Sequence, residues 1–155
     1  LHGAAIDVFP VEPSGDSKVF ESPLRSFDNV ILTPHIGGST AEAQVNIGKE
    51  VADKLVRFAG NGGTMTSVNF PQVTLPAQGA RNRLLHIHKN TPGVLAALNA
   101  LLSQAGINIC AQYLGTNNDV GYVVVDFEST ANMPSMQALD GILGTIRCRL
   151  VYPTV

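Results

Sequence analysis

Charged side chains are scarce in this sequence. Lys, Arg, Asp and Glu make up 14% of its 155 residues, against about 25% in an average soluble protein. The scarcity predicts a surface partly covered by a partner, and so an oligomer. There is no basic excess: the net charge is -2 and the pI about 6.0. That excludes a nucleic-acid binder working by bulk phosphate neutralisation. No apolar run approaches the roughly 18 residues of a membrane span. No Lys- or Arg-led apolar stretch opens the chain, so no secretory signal is expected. There are only two cysteines, Cys110 and Cys148, too few and too far apart for a disulfide framework or a zinc site. They fit a reducing cytoplasm and read as buried apolar thiols. Turn formers are plentiful, with 15 Gly and 9 Pro, but they are not concentrated enough for a low-complexity chain.

The first residues, Leu1 to Phe9, begin without Met, and Ala4 to Phe9 read as a buried strand. A buried strand needs neighbours on both sides, so the chain is expected to open inside a larger α/β domain. Residues 10–28 form a long loop. A second strand, Asn29 to Thr33, stops at Pro34. Ser39 or Thr40 then caps a helix whose apolar residues, from Val45 to Phe58, fall at helical spacing and which ends at Gly60. The Gly-rich, polar segment 61–82 reads as a linker.

The remainder predicts strand, helix, strand, strand, helix, strand. Thr91 is placed to cap the first helix, with Pro92 at its first position and Gly106 after its end. Val94, Leu95, Leu98, Leu101, Leu102 and Ala105 form its apolar stripe. Asn117-Asn118-Asp119 joins two strands as a hairpin. The second helix follows Pro134 and ends at Gly144. This βαββαβ order is the ferredoxin-like unit. Alternation predicts one face covered by helices and a second, solvated face bearing Tyr122, Asp126, Arg147 and Arg149.

Asp7 lies in an apolar strand and needs a partner or a strand end. Glu12 and His35 follow two successive strands, where doubly wound folds line their ligand crevice. If those strands are parallel neighbours, the carboxylate orients the imidazole, which can exchange a proton with an alcohol or carbonyl oxygen. The competing reading is two solvated surface residues. In the second half, His86 and His88 lie two apart on one strand face. They could bind a metal, sit on a solvated face or belong to an effector site. The helix start at Thr91-Pro92-Gly93-Val94 suits a carboxylate, and Gly93 lets a ligand approach the backbone.

The blocks Ile6-Asp7-Val8-Phe9-Pro10-Val11-Glu12-Pro13 and Asn29-Val30-Ile31-Leu32-Thr33-Pro34-His35-Ile36-Gly37-Gly38 resemble the C-terminal signature of the D-isomer-specific 2-hydroxyacid dehydrogenases. The run His86-Ile87-His88-Lys89-Asn90-Thr91-Pro92-Gly93-Val94-Leu95 resembles the start of an ACT regulatory domain. The resemblance implies the tail of a Rossmann-like nucleotide-binding domain at 1–38, a helix returning to a substrate domain at 39–60 and an ACT domain at 83–155. It implies a catalytic pair of His35 and Glu12, with Asp7, Gly37 and Gly38 at an NAD cofactor. The implied substrate is 3-phosphoglycerate or another 2-hydroxy acid. The implied effector is L-serine, held by His88, Asn90 and Gly93 and by Asn108 of a second subunit. A homodimer through the ACT domains is expected, and a tetramer of the intact protein. No metal is expected. The Gly-rich dinucleotide turn is missing, so these 155 residues alone are expected to be inactive. Two other readings stay open: an amino-acid-binding module without activity of its own, and another ACT-tailed 2-hydroxyacid dehydrogenase.

Overall fold

The computed structural model describes residues 2–13 and 19–153. Of the loop expected over 10–28, residues 14–18 lie outside the described residues. The chain divides into two compact units, 1–50 and 51–155.

In the first unit, β1 (Ala4–Ile6) and β2 (Val30–Leu32) pair in parallel, with Ala4 opposite Val30 and Ile6 opposite Leu32. The ladder continues as the Thr33 N–H donates to the Ile6 carbonyl at 3.0 Å. Parallel pairing sends both chains out at the same end of the strands, which brings Asp7 and the 33–35 segment together. The strands are shorter than predicted and less buried: Ala5 and Ile31 face outwards. A two-stranded pair covers neither of its own faces. A 3-10 turn, Pro23–Ser26, is capped by Ser22, whose hydroxyl accepts from the Leu24 N–H.

Helix α1 (Ala41–Asn61) starts as predicted, with the Thr40 hydroxyl accepting from the Ala43 N–H at 3.0 Å. At its other end Gly62 turns left-handed (φ 82°), and its N–H donates to the Phe58 carbonyl.

The second unit is built on an antiparallel sheet of order β4-β5-β3-β6. Its strands are β3 (Asn82–Lys89), β4 (Ile109–Thr116), β5 (Val120–Phe127) and β6 (Thr145–Val151). Helices α2 (Val94–Gln104) and α3 (Met136–Asp140) supply the remaining elements of the βαββαβ order. Leu98 and Leu102 of α2 and Leu139 of α3 pack with Leu84, Val123, Val125, Phe127 and Cys148 of the sheet. Each such fully buried side chain contributes roughly 1.5–3 kcal/mol.

The other face departs from the prediction. It is covered, not solvated: Val73, Leu85, Tyr122 and Val124 form a second core, with Phe70 and Leu75 against it. The expected linker over 61–82 therefore supplies part of a hydrophobic layer. Tyr122 donates its hydroxyl to the Gly62 carbonyl at 2.7 Å. Thr64 accepts from the Val73 N–H and donates to the Pro71 carbonyl, each at 2.8 Å. Asp126 is buried, as a bidentate partner of buried Arg83 at 2.6 and 2.8 Å. Arg149 donates to the Phe58 and Ala59 carbonyls at the end of α1, while Arg147 is exposed as expected.

Three local expectations are corrected. The N-cap of α2 is Gly93, left-handed at φ 94°, and no side chain, Thr91 included, caps it. Helix α3 ends at Asp140 rather than Gly144, which leaves Leu143 exposed. Cys148 is buried, and burial pushes its thiol up to about 12. Cys110 is only half-buried, because the register irregularity between Ile109 and Ala111 interrupts the ladder at its position.

Candidate functional site

Three side chains named from the sequence meet in the first unit. His35 Nδ1 lies 2.8 and 3.0 Å from the two Glu12 carboxylate oxygens. A carboxylate only accepts, so Nδ1 carries the proton and Nε2 presents a lone pair. The Phe9 N–H fixes Glu12 from the other side, donating to Oε1 at 3.0 Å. That backbone donor and the imidazole hold the Glu12 carboxyl below its usual range. Asp7 accepts through Oδ1 from the Thr33 hydroxyl at 2.5 Å and from the His35 N–H at 3.1 Å. The Thr33 hydroxyl is the main reason its carboxyl is also lowered. Asp7 Oδ2 takes no protein hydrogen bond among the described residues.

The cleft here is about 530 Å³, lined by Phe9, Glu12, Phe20, Thr33, His35 and Ile36 among others. Phe9 and Phe20 meet edge to face at 4.6 Å and give it an apolar wall. His35 and Glu12 keep 44% and 37% of their side-chain surface exposed, so their reactive atoms can be reached. Gly38 accepts from the Gln44 amide through its carbonyl. Above Gly37 there is open space where a side chain would stand.

The second group of named residues lies in the second unit. His86 and His88 are both buried, their rings stacked 5.3 Å apart. This replaces the solvated-face reading: the pair points into the helix-covered side. His88 donates from Nδ1 to the Lys89 carbonyl at 2.9 Å, so Nε2 is a bare acceptor, buried and without a partner. His86 Nε2 lies 2.8 Å from the Thr145 hydroxyl, which itself donates to the Leu139 carbonyl. The imidazole must then donate, and His86 Nδ1 is left unpartnered. Burial, then the neighbouring His88, pulls His86 down to about 4. The Asn90 amide donates to the Asn117 carbonyl at 2.7 Å, and its N–H to the Asp119 carbonyl at 2.8 Å. No heavy atom lies within 4 Å of where a Gly93 side chain would begin. His88, Asn90 and Gly93 thus share one end of the sheet.

Asn108 does not join them within one copy. It precedes β4, whose first residue pairs with Phe127, whereas His88 pairs with Gly121. Those two β5 positions are six residues apart, about 20 Å along a strand. Among the described residues no three His, Cys, Asp or Glu side chains gather as a metal site, and no helix is long and apolar enough to cross a membrane.

Residues 84–147 match the family model of the AHAS small subunit-like ACT domain. With its βαββαβ order and four-stranded antiparallel sheet, this part of the chain is an ACT domain of ferredoxin-like fold. Nearly the whole chain, moreover, is similar to D-3-phosphoglycerate dehydrogenases. It is 59% identical to that of Haemophilus influenzae over 98% of its length and 58% identical to that of Escherichia coli K12. It is 44% identical to that of Dictyostelium discoideum. The chain spans 37% of the length of each of these relatives.

Sequence reading missed the Arg83–Asp126 pair and the Thr33 hydroxyl. Each left a signal: an acid and a base set opposite each other in apolar strands, and a hydroxyl at a strand end beside an acid.

Proposed function

We propose that the chain is the C-terminal part of a D-3-phosphoglycerate dehydrogenase, which oxidises 3-phosphoglycerate to 3-phosphohydroxypyruvate at the entry to L-serine synthesis. The observation that carries this is the His35–Glu12 pair beside Asp7 on two parallel strands, within a chain similar over 98% of its length to enzymes of that name. Residues 1–38 are then the end of the nucleotide-binding domain, 39–60 lead back to a substrate domain, and 83–155 are regulatory.

NAD, when bound, supplies the hydride acceptor. Asp7 suits its carboxamide, since Oδ2 offers an acceptor to an amide N–H. Gly37 and Gly38 leave room beside it. His35 Nε2 takes the proton of the substrate hydroxyl as the C–H bond breaks. Glu12 stabilises the imidazolium formed and holds the ring against rotation. The full-length protein is expected to form NADH from 3-phosphoglycerate, and the 155 residues alone to form none. No NADH from the full-length protein with this substrate would overturn the reading; turnover of another 2-hydroxy acid would redirect it to a sister enzyme.

L-serine binds at the ACT domain in this proposal, between two copies in a cytoplasmic homo-oligomer. His88 Nε2 offers an acceptor to the ammonium or hydroxyl. The uncapped start of α2 offers N–H donors to the carboxylate. The placement of Asn108 at the far end of the strand supports a site completed by the second copy.

A further inference from the structure

His35 is one of only two described non-glycine residues with positive φ, at 50°. L-residues rarely adopt that conformation because the β-carbon crowds the carbonyl. Something must hold it. Pro34 precedes it and offers no N–H, so the His35 N–H is the first donor after the ladder closes at Thr33. Asp7 Oδ1 takes that donor at 3.1 Å, and the same oxygen takes the Thr33 hydroxyl at 2.5 Å. The latter is a short charge-assisted bond, among the strongest a side chain makes. It fixes the rotation of the carboxylate, with Oδ1 towards the His35 backbone and Oδ2 turned away.

We infer that Thr33 is a positioning residue for the catalytic base. Its hydroxyl locks Asp7 so that Oδ1 holds the His35 main chain in its left-handed turn, while Oδ2 stays available to the cofactor. This rests on the dehydrogenase reading and assigns Asp7 a second task within it. The imidazole is then held twice, by Glu12 at the ring and by Asp7 at the backbone. Without the hydroxyl, the carboxylate can rotate, the His35 N–H loses its partner and the turn relaxes. Nε2 then shifts away from the substrate hydroxyl, and a misplacement of about 1 Å can cost roughly 10²-fold in rate.

The test uses the full-length enzyme with Thr33→Val, Thr33→Ser and His35→Asn. Thr33→Val is expected to lower kcat about 10- to 100-fold with the substrate KM little changed, while the freed Asp7 carboxylate raises the cofactor KM alongside. Thr33→Ser, which keeps the hydroxyl, is expected to restore kcat. If valine prevents folding, Thr33→Ala, which removes the hydroxyl without a β-branch, is read in the same way. Normal kcat in Thr33→Val beside an inactive His35→Asn overturns the inference and leaves the dehydrogenase reading standing. So does a raised cofactor KM with kcat intact, or a failure of serine to restore the rate. Near-normal turnover in His35→Asn overturns the reading itself.

Discussion

The two units treat their polar side chains in opposite ways. In the first, Glu12 and His35 lie open to solvent. Both Glu12 oxygens are engaged, but Asp7 and His35 each keep one side-chain atom, Oδ2 and Nε2, without a protein partner among the described residues. In the second, Arg83, Asp126, Tyr122 and His86 are sealed, and their bonds join segments far apart in sequence. Arg83 reaches the Asn61 carbonyl as well as Asp126, and Tyr122 reaches Gly62. A polar group here is half-fixed where it is exposed, as the proposed chemistry requires, and ties segments together where it is paired and buried. His86 and His88 cross the line, since both are buried yet each keeps a bare ring nitrogen, Nδ1 in the first and Nε2 in the second.

The largest expected effect tests the open site. On the proposed dehydrogenase reading, His35→Asn in the full-length protein removes the proton acceptor, and turnover is expected to fall about 10²–10⁴-fold while cofactor binding, followed by fluorescence titration, persists. The sealed pair comes next. Asp126→Ala leaves the Arg83 guanidinium buried and uncompensated, and chemical denaturation should show a loss of about 3–5 kcal/mol. Replacing both partners, Arg83→Met with Asp126→Leu, is expected to cost far less, because no charge is stranded. An equal loss in the double variant would show that the pair's geometry, not its charge, holds the face together.

A smaller effect sharpens the case of His88. On the proposed effector reading, L-serine at about 100 times its dissociation constant is expected to stabilise an ACT-domain dimer by roughly 2.7 kcal/mol, read as a rise in Tm. Asn108→Ala is expected to abolish most of that rise and to leave the dimer intact by light scattering. D-serine should give little. The smallest effect concerns His86. Its folded value of about 4 lies below the ordinary 6.5, so between those values the unfolded chain binds more protons. The stability associated with a neutral His86 is complete above pH 6.5 and is lost as pH falls towards about 4. The decline in Tm over that window is expected to be shallower in His86→Phe than in the unaltered chain.

Most of the fold was legible because its signals are local. The stripe of α2, the Thr40 cap and the Asn117 turn need only neighbouring residues. Asn117 Oδ1 accepts from both the Asp119 and Val120 N–H groups. The meeting of Glu12 and His35 was legible only on the condition that their two strands are parallel neighbours, which they are. The roles given to them rested on the family resemblance, since spacing alone also fitted two solvated residues. The covered second face was not legible. Alternation along β5 distinguishes one face from the other, but cannot distinguish water from a loop as the covering. The segment that covers it has no period, only Phe70, Val73 and Leu75 among Gly and polar residues. Asp126 therefore read as solvated, although its register partner Arg83 was there to neutralise it. The cap of α2 was misplaced because a left-handed Gly93 competes with Thr91 and leaves no trace in hydroxyl chemistry.

Gly121 sits beneath the His88 ring, where a β-carbon would lie 2.1 Å from Cε1. The two positions cannot drift independently. A mutational walk through this module meets a one-way step: His88 must shrink before position 121 can grow. A library of single substitutions at 121 in the presence of His88 should be nearly empty, while the same library on a His88→Ala background should fill.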